Sequence, residues 1–205
     1  MPATNTFIET FDCDSSPYGY SYGSWTTRWW QWALSIPSCI NPVVDKNGTY
    51  WATNQPDSDV WFMAGRFGGH DKSYPDRKIK VSSGRSFLFP VLNCEANQLE
   101  YPELTTEDML IDHVTNDVNT VVKKDFNING KILKPIRIPS IPKLFSVTIN
   151  RDNVLGVNGG MTNATADGYW IFLNPLPKGV YIIKLEGSCE SGRLNAGATY
   201  EIEIE

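Results

Sequence analysis

Long apolar runs are missing from this chain. Nothing approaches the roughly 20 consecutive apolar residues of a membrane-spanning helix, and the opening MPATNTFIET has neither the basic nor the apolar region of a secretion leader. As written, the sequence reads as soluble, unexported and, if complete, cytoplasmic. A basic surplus is missing too. The net charge is −5 and Lys and Arg form no cluster, which argues against nucleic acid or an anionic membrane as partner. Lys78 and Lys80 alternate along a probable strand and read as a solvated face. The four cysteines, at 13, 39, 94 and 189, are scattered with no CxxC or Cys/His clip. A structural metal is therefore not expected, and at most one pair is expected to bridge.

Catalytic signatures are absent as well. The sequence holds no G-x-S-x-G, H-E-x-x-H, P-loop or EF-hand loop, and Gly65-RFGG does not fit G-x-G-x-x-G. Asp12, Asp14 and Ser16 begin like a calcium loop but lack its later glycine and glutamate. Only two histidines occur. His113 stands one helical turn before Asp117, where an ion pair or hydrogen bond is the expected role, whereas His70 lies in a glycine-bearing loop, where surface chemistry often sits. No cofactor is expected.

Tryptophan is what the chain has in excess. Four of its seven tryptophans fall in the eight residues from Trp25 to Trp32. The segment reads as a helix capped by Ser24 and stopped before Pro37. Trp25, Trp29, Trp32 and Ile36 then share one stripe, with Thr27, Arg28, Gln31 and Ser35 on the polar side, while Trp30 and Leu34 stand off both. A helix apolar over so much of its circumference is buried on two sides or leaves an indole for a partner. The plain reading is aromatic core laid on a sheet. The alternative makes Trp30 a contact hot spot or a sugar-stacking platform.

A second helix is expected over about 106–122, with Thr105 and Asp108 approximating a capping box and Leu110, Val114, Val118 and Val121 on its buried face. Elsewhere the pattern is strand. Val60-WFMA suits a strand buried on both faces, and Pro90 within Ser86-FLFPVL marks an edge strand or a bulge. Asn129-Gly130 supplies a type I′ hairpin turn, and Ala198-TYEIEIE alternates with Tyr200, Ile202 and Ile204 inward. The chain therefore reads as mainly β (α+β): one domain over residues 1–205, an antiparallel β-sandwich of jelly-roll or immunoglobulin type, with about nine strands and two packed helices.

The segments YGYSYGSWTTRWWQWALSIP, SGRSFLFPVLN and ADGYWIFLNPLPKGVYIIKLEGS resemble those of a family of small bacterial and archaeal β-rich proteins, in the same order and over most of the chain. The resemblance implies a single β-rich domain, exported in several members, and brings with it no activity, substrate or catalytic residue. Some members carry cysteines near where this chain has Trp51 and Ile79, so a disulfide available to them is lost here.

Asn93 and Glu95 follow one apolar strand and Asp167 precedes another. Carboxylates at strand ends can converge on a sugar or a cation, or act as an acid and base; as solvated turn residues they do neither. The candidate ligand-binding set is Trp30, Arg66, His70, Asn93, Glu95 and Asp167. The leading expectation is a non-enzymatic domain that binds a small molecule, a glycan or a protein, including copies of itself. The alternatives are a carboxylate-based hydrolase and a structural coat or surface-layer component.

Overall fold

The computed structural model describes residues 8–67 and 74–205. The C-terminal alternation reads out directly in it. Strand β10 (Asn195–Ile204) buries Ala198, Tyr200, Ile202 and Ile204 and turns Glu201 and Glu203 outward. It pairs with β9 (Gly179–Cys189) on one side and with β2 (Asp76–Val81) on the other. On β2 the register sets Lys78 beside Glu201 and Lys80 beside Glu203, at 3.3 and 2.7 Å, on the solvated face. Such exposed pairs contribute at most about 1 kcal/mol each. The inward residues Ile79 and Val81, opposite Ile202 and Ile204, hold the edge.

Strands β4 (Val121–Ile128) and β5 (Lys131–Leu133) complete this sheet in the order β2-β10-β9-β4-β5. Asn129 and Gly130 join them with φ of +50° and +86°, the left-handed pair that a type I′ turn requires. The second sheet runs β1 (Val60–Phe62), β3 (Ser86–Asn97), β8 (Gly160–Leu173). Beyond β8, β6 (Ile136–Arg137) and β7 (Phe145–Ile149) pair with different stretches of the same edge. The fold is mainly β, a two-sheet sandwich with two helices. Both sheets are mixed: β1 runs parallel to β3 and β2 parallel to β10, while every other pairing is antiparallel.

The β3–β8 sheet is covered on both faces, which explains a β3 that is buried along almost its whole length. Phe87, Phe89, Ile171 and Leu173 pack against Ile183, Leu185, Tyr200 and Ile202 of the other sheet. On the opposite face, Leu88, Trp170 and Phe172 pack under helix α1 (Tyr22–Ser35). Pro90 therefore lies in a central strand, not at an edge. The bulge reading is the correct one: the register slips between Pro90 and Leu92. Since β1 pairs only with Ser86–Leu88, Pro90 also sits beyond the last ladder partner on that side.

Helix α1 starts one turn earlier than expected. Its N-cap is Ser21, whose hydroxyl accepts the Ser24 N–H at 3.2 Å. Burial on two sides holds. Trp25, Trp29 and Trp32 donate their indole N–H to the carbonyls of Pro17, Met63 and Thr53, and the off-stripe Leu34 is fully buried. Thr27, expected on the polar side, is also buried and donates to the Ile141 carbonyl. That contact is possible because Gly23 lies under the same segment, where a Cβ would come within 2.6 Å of Ile141.

Helix α2 (Glu107–Asn119) is capped by Thr106, not Thr105, and its face Leu110, Val114 and Val118 closes on Cys94 and Ala96 of β3. Val121 and Val122 belong to β4, as β-branched residues favour. Truncating Trp25 to Ala, which empties a fully buried site between α1, Phe62 and Phe172, is expected to cost about 3–5 kcal/mol in a urea melt. A loss below about 1 kcal/mol would show that α1 is not the second wall of this core.

Candidate functional site: a carboxyl-lined cavity

The bulge changes which side chains of β3 face which layer. Before it, Phe87 and Phe89 face the other sheet and Leu88 faces α1. After it, Leu92 packs close over Gly187 of β9 and Cys94 and Ala96 meet α2. Asn93 and Glu95 are thereby re-aimed to the α1 side. Because β1 has already ended, the β3 edge along these residues has no strand partner among the described residues, and it borders a cavity of about 190 Å³. Trp29 and Trp30 of α1 form one wall. The segment after β1 (Gly65–Phe67), the segment after β3 (Glu100 and Tyr101) and the turn into β10 (Arg193–Ala196) form the rest.

Two of these walls are pinned by the fold. The buried guanidinium of Arg77 donates to the carbonyls of Asp45, Ala64 and Gly65 and to the Tyr200 hydroxyl, fixing the chain just before Arg66. The Asn97 side-chain oxygen accepts the backbone N–H of Leu99 and Glu100 at 2.9 and 3.1 Å. This Asx-type turn brings Glu100 back beside Glu95. The Arg77 arrangement has no sequence signature, because its partners lie remote from one another in the chain.

Glu95 is 6% exposed. Its Oε1 accepts from the Asn97 amide at 3.0 Å and its Oε2 has no partner. Burial, reinforced by the nearby Glu100, pushes its carboxyl up to about 8, with the Asn97 bond opposing. Glu100 is pushed up to about 7, again chiefly by burial, with Tyr101 acting the other way. The Tyr101 hydroxyl and the Cys94 thiol are raised by the same desolvation. Near neutral pH the cavity therefore holds a carboxyl that keeps its proton beside one that is partly ionised.

Of the six residues expected from sequence, Trp30, Arg66, Asn93 and Glu95 line this one cavity. Trp30 is not the exposed platform of the alternative reading. It is 4% exposed and packs edge-on against Trp29 at 5.0 Å, yet its indole N–H has no partner. Arg66 lies in electrostatic reach of Tyr74, whose hydroxyl donates to Asn195. Asp167 does not join the others. It stands mid-strand, opposite Cys94 on the far face, and is held by Arg137 at 2.6 and 2.9 Å. The strand-end reading of Asn93, Glu95 and Asp167 fails for one reason: β3 continues to Asn97 and β8 begins at Gly160. His70 lies outside the described residues. Glu100, Tyr101 and Trp29 join the site without having been expected.

Elsewhere, His113 approaches Asp117 only to 3.9 Å, and Asp117 pairs with Arg193 at 2.7 Å. Among the described residues no group of three or more His, Cys, Asp or Glu side chains is placed to hold a metal ion, and all four cysteines are free thiols.

No family model, curated protein or solved structure matches the chain.

What the cavity can hold follows from its own groups. It has aromatic walls, the buried carboxyl of Glu95 beside the half-buried one of Glu100, and the unpaired donors of Trp30 and Asn93. The raised Glu95 carboxyl also ties the site to stability. The folded state keeps this proton up to about 8, whereas an unfolded Glu releases it near 4.3. Its stabilising contribution is therefore full below about pH 4.3 and is lost as pH rises through about 8. Urea melts from pH 5 to pH 8 are expected to show falling stability for the wild type and a shallower fall for Glu95→Gln, the remainder coming from Glu100. Identical slopes would contradict the burial of Glu95.

Proposed function

We propose that this protein is a small-molecule-binding β-sandwich domain whose site is the cavity along the open edge of β3. One observation carries the reading. Nine residues among those described hold a buried side-chain nitrogen or oxygen without a hydrogen-bond partner, and four of them, Trp30, Asn93, Glu95 and Glu100, line this cavity. Each such group costs about 1–3 kcal/mol when left unpaired, so their concentration in one place suits a site that a ligand completes. The family resemblance belongs to the same proposal: the shared Trp-rich segment is the helix that walls the cavity.

A thermal-shift screen against small neutral, anionic and cationic compounds tests it. Compounds that raise the wild-type Tm are expected to lose their effect in Trp30→Phe and Asn93→Ala. Shifts that survive both substitutions would move the binding site elsewhere, and a screen without any shift would oppose the reading.

A second reading, a carboxylate-based hydrolase, is favoured by the Glu95–Glu100 pair, since an acid protonated near neutrality beside a partly ionised one is what acid–base catalysis needs. Release of nitrophenol from aryl glycosides that disappears in both Glu95→Gln and Glu100→Gln would support it. Inactive wild-type protein would leave the binding reading alone.

A further inference from the structure

The cavity's unpaired groups are of two complementary kinds. The Trp30 indole N–H is a donor only, and so is the amide nitrogen of Asn93; the free Oε2 of Glu100 supplies acceptor capacity, and the carboxyl of Glu95, protonated near neutrality, can both donate and accept. Each simple class of ligand can be weighed against that inventory. An ammonium or metal cation has no lone pair to offer, so both donors would stay unsatisfied. A carboxylate or phosphate would satisfy the donors but bring no hydrogen to the glutamate oxygens, and would set its charge beside the partly ionised Glu100. A hydrocarbon would satisfy neither kind. A hydroxyl group both donates and accepts, and several hydroxyls on one carbon frame satisfy both kinds at once.

Size and surface agree with this. At about 30 Å³ per water in the liquid, the cavity of about 190 Å³ has room for roughly six waters, which is the scale of one ring-sized molecule and not of a chain of them. Trp29, Trp30 and Tyr101 give it apolar aromatic surface for the C–H groups of such a frame. The charged and titratable groups that face the cavity are Glu95 and Cys94 from β3, Glu100 and Tyr101 from the segment after it, Arg66 from the segment after β1, and Arg193 from the turn before β10; α1 contributes only the neutral Trp29 and Trp30. With both signs at the cavity, no net charge is selected.

We propose that the ligand is a neutral polyhydroxylated molecule of single-ring size, a monosaccharide or cyclitol, bound through the Trp30 and Asn93 donors and the Glu95 and Glu100 carboxyl oxygens. This rests on the cavity reading above and names its ligand class.

Isothermal titration with D-glucose, D-xylose and myo-inositol, and in parallel with methylammonium and acetate, separates the two claims. At least one neutral polyol is expected to bind, with Trp30→Phe weakening it about tenfold, as loss of one buried hydrogen bond implies. Glu95→Gln, which keeps a planar polar head, is expected to stay within about threefold of wild type, whereas Glu95→Leu loses about tenfold or more. Glu95→Leu leaves the Asn97 amide without its acceptor, so far-UV circular dichroism checks that this variant folds, and Glu95→Gln stands beside it as the variant that keeps the bond. If Trp30→Phe does not fold, Asn93→Ala at a half-buried position takes its place. Binding of methylammonium or acetate alone, abolished by Trp30→Phe, would overturn the polyol class and keep the cavity reading. Binding of no compound at millimolar concentration would overturn both. A polyol that binds equally well to Trp30→Phe, Asn93→Ala and Glu95→Leu would overturn the assignment of these groups.

Discussion

The slip in register between Pro90 and Leu92 is the constraint on which the rest of this molecule depends. The β3–β8 ladder is shared by all three hydrophobic clusters. Phe87, Phe89, Ile171 and Leu173 serve the core between the sheets, Leu88, Trp170 and Phe172 the core under α1, and Cys94 and Ala96 the core under α2. One residue of slip inverts the facing of everything beyond it. Without it Glu95 would point toward the other layer and Cys94 toward the tryptophans. Gly168 shows how closely the re-aimed strand sits. It lies directly opposite Asn93, and a Cβ on it would come within 2.5 Å of the Asn93 Cβ.

The architecture also decides why a cavity forms where it does. Strand β1 stops at the residue opposite Leu88, so among the described residues the β3 edge loses its partner just as the bulge turns polar side chains toward α1. What would be solvated polar groups on an ordinary edge are here enclosed by the α1 tryptophans and by two loops, one fixed by the Arg77 guanidinium and the other by the Asn97 turn. Enclosure raises both glutamate pKa values through burial, and for Glu95 the nearby Glu100 adds to it.

Features with a local cause were legible in the sequence. The Asn129-Gly130 turn needs only its two residues, the β10 alternation only a half-buried face, and the tryptophan helix only its period. Reading failed where distant chain decides. Pro90 fitted an edge strand or a bulge, and only the position of β1 separates them. Both β3 and β8 ran further than their apolar patterns, β3 because polar residues that face a cavity look like turn residues and β8 because its first residues pair with β7 while partly exposed. Four of the six candidate site residues still converge, since Trp30, Arg66, Asn93 and Glu95 lie on elements that the same bulge and helix bring together. Asp167 faces away by strand parity alone. Glu100 carried no signal, because its burial comes from packing and not from its neighbours in sequence. Arg77 was hidden between the solvated Asp76 and Lys78, on the opposite face of the same strand.

The central claim is that two glutamates, Glu95 buried and Glu100 half-buried, share one cavity. The most direct measurement is a carboxyl-carbon NMR titration of glutamate-labelled protein, with the two resonances assigned by Glu95→Gln and Glu100→Gln. The account predicts a Glu95 midpoint near 8 and a Glu100 midpoint near 7, with the Glu95 midpoint moving down when Glu100 is made neutral. Midpoints near 4.3 for both, the value of a solvated glutamate, would contradict it.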